Sequence, residues 1–440
     1  MHHRALPALL ILLSAATIAA TPARGAETYF VREKGSDSND GLTAQRAFRT
    51  VQQAISVCTE PGTIVYVGPG TYSESIVIGS GGGAAAVSGT SQNPIRIVAD
   101  TRGTQTLDDP GPVVIDASGQ TYGVRLQNRT GWSFEGLALK GFTGYGLYGT
   151  NGGVSLRGCT IAGGDYYAVY ITASDDVTIS DCTFERTADS GHVVWVYPVN
   201  RSSDTSVTIT RNDMSLKGGL YHSTGFHNGF SRSRNPRGIS RYVYGIIVYG
   251  WGSARMGDIE ISNNQISDCY LPIYTTMYNS SGETVIANNT VTGSLYSLYT
   301  YSTNAGSVRV INNIVDTCYY GLLTYNYGRS STSVAGILEH NITYSMPGFR
   351  RSFELDIIQE DPLFTDARNG DFTLLAGSPA IDAGTAGYAP SVDIVGLSRP
   401  GDGDHNGTAE FDLGAYESDG GQRDRVRVVQ WKEIGGDHND

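Results

Sequence analysis

One short phrase returns repeatedly down the middle of the chain, and it limits the fold more than any other feature. It reads Val154-Ser-Leu-Arg-Gly-Cys159-Thr-Ile, Val177-Thr-Ile-Ser-Asp-Cys182-Thr-Phe and Val207-Thr-Ile-Thr-Arg-Asn212-Asp-Met. It continues as Ile259-Glu-Ile-Ser-Asn-Asn264-Gln-Ile, Thr284-Val-Ile-Ala-Asn-Asn289-Thr-Val and Val308-Arg-Val-Ile-Asn-Asn313-Ile-Val. Trp132-Ser-Phe-Glu-Gly-Leu137 begins the series and Leu338-Glu-His-Asn341-Ile ends it. Apolar-polar-apolar alternation over three to five residues predicts short strands with one buried face, and no helical spacing fits between them. A turn of about 24 residues holding two or three such strands cannot bury its own apolar face, so successive turns must stack. The pattern predicts an all-β, single-stranded parallel β-helix.

Within each coil a second strand follows: Gly146-Leu-Tyr-Gly, Ala168-Val-Tyr-Ile, Val193-Val-Trp-Val, Gly245-Ile-Ile-Val, Pro272-Ile-Tyr-Thr, Ser297-Leu-Tyr-Thr and Gly321-Leu-Leu-Thr. Alternation turns Leu147, Val169, Val194, Ile246, Ile273 and Leu298 inward. It turns Tyr148, Tyr170, Trp195, Ile247, Tyr274 and Tyr299 outward, with Tyr197, Tyr249, Tyr301 and Tyr325 two residues further along the same face. A row of exposed rings suits sugars, whose C–H faces stack on π-faces while hydroxyls bond to tyrosine. Cross-coil ring packing is the plainer alternative. The Asn column (Asn212, Asn264, Asn289, Asn313, Asn341) is expected to form an amide ladder at a bend where Asn tolerates left-handed backbone. Cys159 and Cys182 fall in the same column, read as small buried hydrophobes rather than a disulfide between coils.

Both ends carry non-repeating sequence. Phe48, Val51, Ala54, Ile55 and Cys58 recur at helical spacing and predict a short amphipathic helix that caps the first coil. Residues 351–417 break the period and are expected to form an irregular C-terminal cap, followed by a charged tail over 418–440. Residues 26–125 then hold the N-terminal cap and first coils, and 126–350 the repeats. Residues 1–25 have a basic start, a short apolar run and small residues up to Gly25, as a signal peptide does. That predicts a secreted, periplasmic or cell-surface protein with no transmembrane segment. The five cysteines include no CxxC pair, which argues against a zinc site.

With a net charge of −12, the chain is a poor general partner for nucleic acid, which needs clustered Lys and Arg. One stretch departs from this balance. Asn212 to Asn264 spans 52 residues where neighbouring repeats take fewer, and between Met214 and Gly257 there is no Asp or Glu. That stretch carries Lys217, Arg232, Arg234, Arg237, Arg241 and Arg255, with His222 and His227. Such a cluster makes a local positive potential suited to carboxylate or sulfate groups; the alternative is a solvated flap. Just before it, Asp165, Asp189 and His192 sit at successive turn-to-strand junctions.

Three stretches resemble known families. Tyr29-Phe-Val, Gly35-Ser-Asp-Ser-Asn-Asp-Gly41, Phe48-Arg-Thr-Val-Gln-Gln-Ala54 and Gly70-Thr-Tyr-Ser-Glu74 resemble the opening segment of bacterial pectate-lyase-like β-helix proteins. The central coils resemble their right-handed repeats. Asp361-Pro-Leu-Phe, Gly370-Asp-Phe-Thr-Leu, Gly377-Ser-Pro-Ala-Ile-Asp382-Ala-Gly and Asp412-Leu-Gly-Ala-Tyr-Glu resemble a choice-of-anchor C-terminal segment, which implies attachment to the envelope. The resemblance implies a right-handed helix and a substrate cleft along the Ala168-Val-Tyr-Ile strand series. The superfamily spans lyases, hydrolases, epimerases and non-catalytic adhesins, so the reaction must come from the site.

The expected function is an exported polysaccharide lyase acting on a uronate-containing polymer. Its rivals are a non-catalytic carbohydrate-binding β-helix and a polygalacturonase-like hydrolase. For β-elimination, Lys217, His227 or Arg241 is the candidate base, and Arg232, Arg234 and Arg237 stabilise the developing charge. For hydrolysis the candidates are Asp165, Asp189 and His192, although the paired-aspartate and Arg-x-Lys signatures are missing. Tyr148, Tyr170, Trp195, Tyr249, Tyr274 and Tyr299 are the expected substrate platform. No cofactor is required by the sequence, and Ca²⁺ stays open: Asp175, Asp176 and Asp204 lie at coil turns. Asp402-Gly-Asp404-His-Asn406-Gly407 begins like a calcium loop whose twelfth position is Leu413.

Overall fold

Strands stack in register because each coil repeats the inward pattern of the one before. The structure, a computed structural model, describes residues 26–79, 87–185, 191–215, 243–250, 252, 254–278, 282–294, 296–303, 307–318, 322–327, 331–340, 355–358 and 360–420. All strand pairings of the coils are parallel. Tyr145–Arg157 lies on Tyr167–Ser180, which lies on His192–Pro198 and on Thr205–Thr210. The stack continues through Tyr244–Tyr249, Leu271–Met277 and Leu298–Thr303. The chain is a single-stranded parallel β-helix, and parallel crossovers of this kind are right-handed in nearly every case.

Each coil has three faces. The first carries the Tyr-bearing strands, the second the repeat phrase, and the third three-residue strands such as Thr160–Ala162, Thr183–Glu185 and Gln265–Ser267. Their inward side chains form one continuous core from Val31 to Cys318. Leu147, Val169, Val194, Ile246, Ile273 and Leu298 are all fully buried in it, as the alternation requires.

The bend between second and third faces holds the amide ladder. Asn212, Asn264, Asn289 and Asn313 are fully buried. The side-chain amides of Asn212, Asn264 and Asn289 each donate to the next Oδ1, at 2.9 Å to Asn264, 3.0 Å to Asn289 and 2.9 Å to Asn313, while Asn341 lies outside the described residues. The same Nδ2 atoms and that of Asn313 donate inward to the carbonyls of Ile179, Ile209, Ile261 and Ile286. Cys182 joins from the coil above, its backbone N–H donating to Asn212 Oδ1 at 2.9 Å. Cys159 and Cys182 are buried free thiols, and burial pushes the Cys182 thiol well up.

The left-handed backbone falls one residue earlier than the sequence suggests. Positive φ belongs to Asp181, Arg211, Asn263, Asn288 and Asn312, each preceding the ladder residue. Asn tolerates this conformation through local side-chain bonding. The ladder Asn is instead chosen for a two-sided amide that can serve both its neighbours.

At the N-terminal end the helix Val51–Val57 buries Val51, Ala54 and Ile55. Thr50 Oγ1 accepts from Gln53 N, and the Glu74 carboxylate accepts from Val51 N at 2.8 Å and Gln52 N at 2.9 Å, so the first free amides are satisfied. Phe48 and Cys58 pack beside the helix rather than in it.

The C-terminal segment caps the last coils from the side. The outward Asn263, Asn288 and Asn312 amides donate to the carbonyls of Val392, Asp412 and Thr385. Leu413 and Ala380 close a second small core over Ile314. Within the segment Arg399 pairs with Glu417 at 2.7 Å, both side chains inaccessible. Burial pushes the Asp393 and Glu417 carboxyls up, and burial with the Glu417 charge pushes Asp412 to about 7. Among the described residues no helix is long and apolar enough to cross a membrane.

Candidate functional site: an aromatic wall along one face

The first face exposes three ring columns. Tyr148, Tyr170, Trp195, Tyr274 and Tyr299 lie in one register line, as alternation predicts. Ile247 occupies the same line between Trp195 and Tyr274 but is only 1% exposed, which corrects the expectation that it faces out. A short aliphatic chain among tall rings lies at the bottom of the wall rather than on it. Tyr197, Tyr249 and Tyr301 form the second column, with Tyr197 and Tyr249 stacked at 6.0 Å.

The third column is Tyr122, Tyr145, Tyr167, His192 and Tyr244, extended by Tyr270 and Tyr296. Simple alternation misses most of it. Tyr145 and Tyr148 both face out although three residues apart, because Gly146 and Leu147 both turn inward at the corner. A Cβ on Gly146 would meet Ala168 O and Ile161 Cγ2 at 2.5 Å, so the corner leaves no room for a side chain. The signal was present as an aromatic three residues before Tyr148, Tyr170, Trp195 and Tyr299, but only the corner geometry makes it outward.

The rings stack on one another along the helix axis. Tyr145 and Tyr167 are 5.5 Å apart at 9°, and Tyr148 and Tyr170 are 5.6 Å apart at 10°. Stacked rings turn edges and hydroxyls outward, so much of the wall is a hydrogen-bonding surface rather than a set of flat platforms. Ile247 interrupts the run. Trp195 meets Tyr249 at 6.5 Å and 46°, and here an open depression of about 380 Å³ lies between Tyr167, Tyr170, Trp195, Tyr197 and Tyr249.

Burial, reinforced by neighbouring phenols, raises the Tyr145, Tyr167 and Tyr170 hydroxyls, and Tyr274 follows the same direction. They therefore remain protonated donors near neutral pH and do not serve as phenolate bases. On the first face itself, in residues 122–127, 145–150, 167–173, 192–198, 244–249, 271–277 and 298–303, there is no Asp or Glu; Asp175 and Asp176 come later in Tyr167–Ser180, beyond the wall. His192 sits within the wall, its ring 4.9 Å from Tyr167 and 4.8 Å from Tyr244. Its Nδ1 accepts from Tyr244 N at 3.4 Å, which puts the ring proton on Nε2 in the neutral form.

Asp165 is exposed at the turn leading into Tyr167–Ser180, its backbone N–H donating to Thr143 O at 2.9 Å. Asp189, Lys217, His227, Arg232, Arg234, Arg237 and Arg241 lie outside the described residues. In the sequence they fall between Thr183–Glu185 and His192–Pro198, and between Asp213–Ser215 and Tyr244–Tyr249.

The turn aspartates do not form a cation site. Asp204 is paired with Arg255 at 2.7 Å, while Asp176 accepts from Ser206 N at 2.8 Å and Asp175 from Asp176 N at 2.9 Å. In the C-terminal segment Asp382, Asp402 and Asp404 bring ligand atoms within 4.8 Å of one another. Asp382 comes from outside the loop motif, and Leu413 at its twelfth position is a core residue. Backbone amides of Gly403, Asp404 and Gly407 already donate to Asp382 and Asp402.

The fold is that of a right-handed parallel β-helix protein, with an aromatic wall along one face. Residues 114–258 match the family model described as right handed beta helix region. Among solved structures the chain is similar to a rhamnogalacturonan lyase, at 14% identity and a TM-score of 0.40, over 71% of this chain and 87% of that one. It is similar to the pectate lyase Pel9A at 15% identity and a TM-score of 0.39, over 89% and 96%. It is also similar to the GH136 lacto-N-biosidase from Eubacterium ramulus at 11% identity and a TM-score of 0.36, over 76% and 67%. Among curated proteins no relative matches the chain.

Proposed function

We propose that the protein is an exported, carbohydrate-active β-helix that holds an acidic polysaccharide along its aromatic wall and cleaves it by β-elimination. The observation that carries this reading is the depression at Trp195, where four tyrosines and the indole line a space of sugar size. Successive coils rise about 4.8 Å, close to the length of one pyranose unit, so consecutive coils can serve consecutive sugars.

In the elimination a base takes the proton from the carbon bearing the uronate carboxylate. The C–O bond to the neighbouring sugar then breaks, that oxygen is protonated, and a C=C bond remains in the new terminal sugar. The cationic insertion ends directly at Tyr244, a wall residue, and carries Lys217, His227 and Arg241 as candidate bases beside Arg232, Arg234 and Arg237. The lack of carboxylates on the described outer-face residues of the wall favours elimination over a two-carboxylate hydrolysis, which needs an acid and a base flanking the bond.

A second reading, a non-catalytic binder, is favoured by one fact: apart from tyrosines and Arg125, His192 is the single acid–base side chain among the described wall residues. Incubation with acidic and neutral polysaccharides, followed by ultraviolet absorbance of unsaturated uronates, separates the two. Absorbance growing with time supports the lyase; binding with no new chain ends supports the binder; new reducing ends without absorbance indicate hydrolysis.

A further inference from the structure

The central column of the wall does not end on an aromatic residue. Arg125 stands in register with Tyr148 on one side and Val77 on the other, and among the described first-face residues 122–127, 145–150, 167–173, 192–198, 244–249, 271–277 and 298–303 it is the only Asp, Glu, Lys or Arg. Its Cζ lies 5.5 Å from the centroid of the Tyr122 ring, which in turn lies 5.2 Å from Tyr148. Several other described arginines near the coils are neutralised: Arg96 by Glu135, Arg211 by Asp181, Arg255 by Asp204 and Arg309 by Glu283. Arg125 has no ion pair or hydrogen bond among the described residues, and its Nε is buried without a partner. The half-buried side chain leaves its two Nη atoms at the surface. A guanidinium held over a ring, with unused donors and no counter-ion, is arranged to receive an anion in fork geometry.

We propose that Arg125 forms an anion-binding subsite at the N-terminal end of the wall, taking the carboxylate or sulfate of an acidic polysaccharide whose following units lie along Tyr148, Tyr170 and Trp195. The inference rests on the wall being a glycan-binding face, and it adds a charge-reading position about 14 Å from Trp195 (three coil rises of about 4.8 Å).

The test is affinity electrophoresis of the full chain through gels containing polygalacturonate, carrageenan or uncharged galactan. The proteins compared are the wild type, Arg125→Gln, Arg125→Lys and Trp195→Ala, with thermal melting to confirm folding. Arg125→Gln should weaken retention by at least one acidic polymer about tenfold, the scale of a charge-assisted bond, and leave galactan unchanged. Arg125→Lys should keep part of the affinity, and the polymer affected tells carboxylate from sulfate. Undiminished binding of both acidic polymers by Arg125→Gln, or an equal loss on galactan, overturns the subsite. If Trp195→Ala loses binding in those same gels, the wall reading survives that result. A wild type retained by none of the three polymers removes the wall reading and the subsite with it.

Discussion

Trp195 and Ile247 show how one residue changes what a repetitive surface can do. Rings stacked 5–6 Å apart satisfy one another and offer mainly hydroxyl edges. Ile247 takes the place of the next ring in the line after Trp195, and the depression lies beside the indole. Trp195→Ala should therefore weaken polysaccharide binding by about 1 kcal/mol, roughly fivefold, the scale of an aromatic contact beyond area burial. Tyr388→Ala, which alters an exposed ring on the C-terminal segment, should leave it unchanged. Isothermal calorimetry on a retained polymer reads both, and equal losses from the two variants would show that Trp195 has no special role. The identity of Trp195 as an outward residue was legible from alternation alone. The depression was not, because it depends on which side chains oppose one another across coils.

At the scale of the element, the ladder converts a turn into a fastening between coils. Asn289 Oδ1 accepts both Asn264 N at 3.0 Å and Asn264 Nδ2 at 3.0 Å, while its own Nδ2 serves Ile261 O and Asn313. Asn289→Ala would leave the buried Asn264 N–H without its acceptor and the Ile261 carbonyl without its side-chain donor. At about 1–3 kcal/mol per unsatisfied group, a destabilisation of about 3 kcal/mol is expected. Urea unfolding compared with the wild type measures it; a loss under about 0.5 kcal/mol, the ordinary range for a surface position, would mean the ladder does not fasten the coils. The Asn column was readable as a ladder, since like residues at a fixed period must align when coils stack. The position of the left-handed residue was not, because two adjacent Asn in Asn263-Asn264 are indistinguishable until the bend assigns one inward and one outward.

For the whole molecule, the C-terminal segment decides how the solenoid's flank is closed. It is fastened by Asn263, Asn288 and Asn312 and holds a buried group of Arg399, Glu417, Asp412 and Asp393. Burial raises the Asp412 carboxyl from its ordinary 3.8 to about 7, so the folded state takes up a proton that the unfolded state releases. Stability from this group is present at low pH and is lost as pH rises through about 7. Asp393 and Glu417 act in the same direction. Docking of the segment should thus be tighter at pH 5.5 than at pH 8, by about 2 kcal/mol. Limited proteolysis across that window, with the site of cutting mapped, reads it; faster cutting of residues 360–420 at pH 5.5 would contradict the assignment.

The sequence by itself determined the coil, its inward residues and the principal ring column. These follow from local period and from stacking, which allow no other way to bury a strip of apolar side chains. Tertiary structure alone decided the third aromatic column, the buried place of Ile247, the ion pair that occupies Asp204 and the lateral seat of the C-terminal segment. Each depends on corners and contacts between residues far apart in the chain, where pleat alternation breaks and a side chain's direction is set by what it meets.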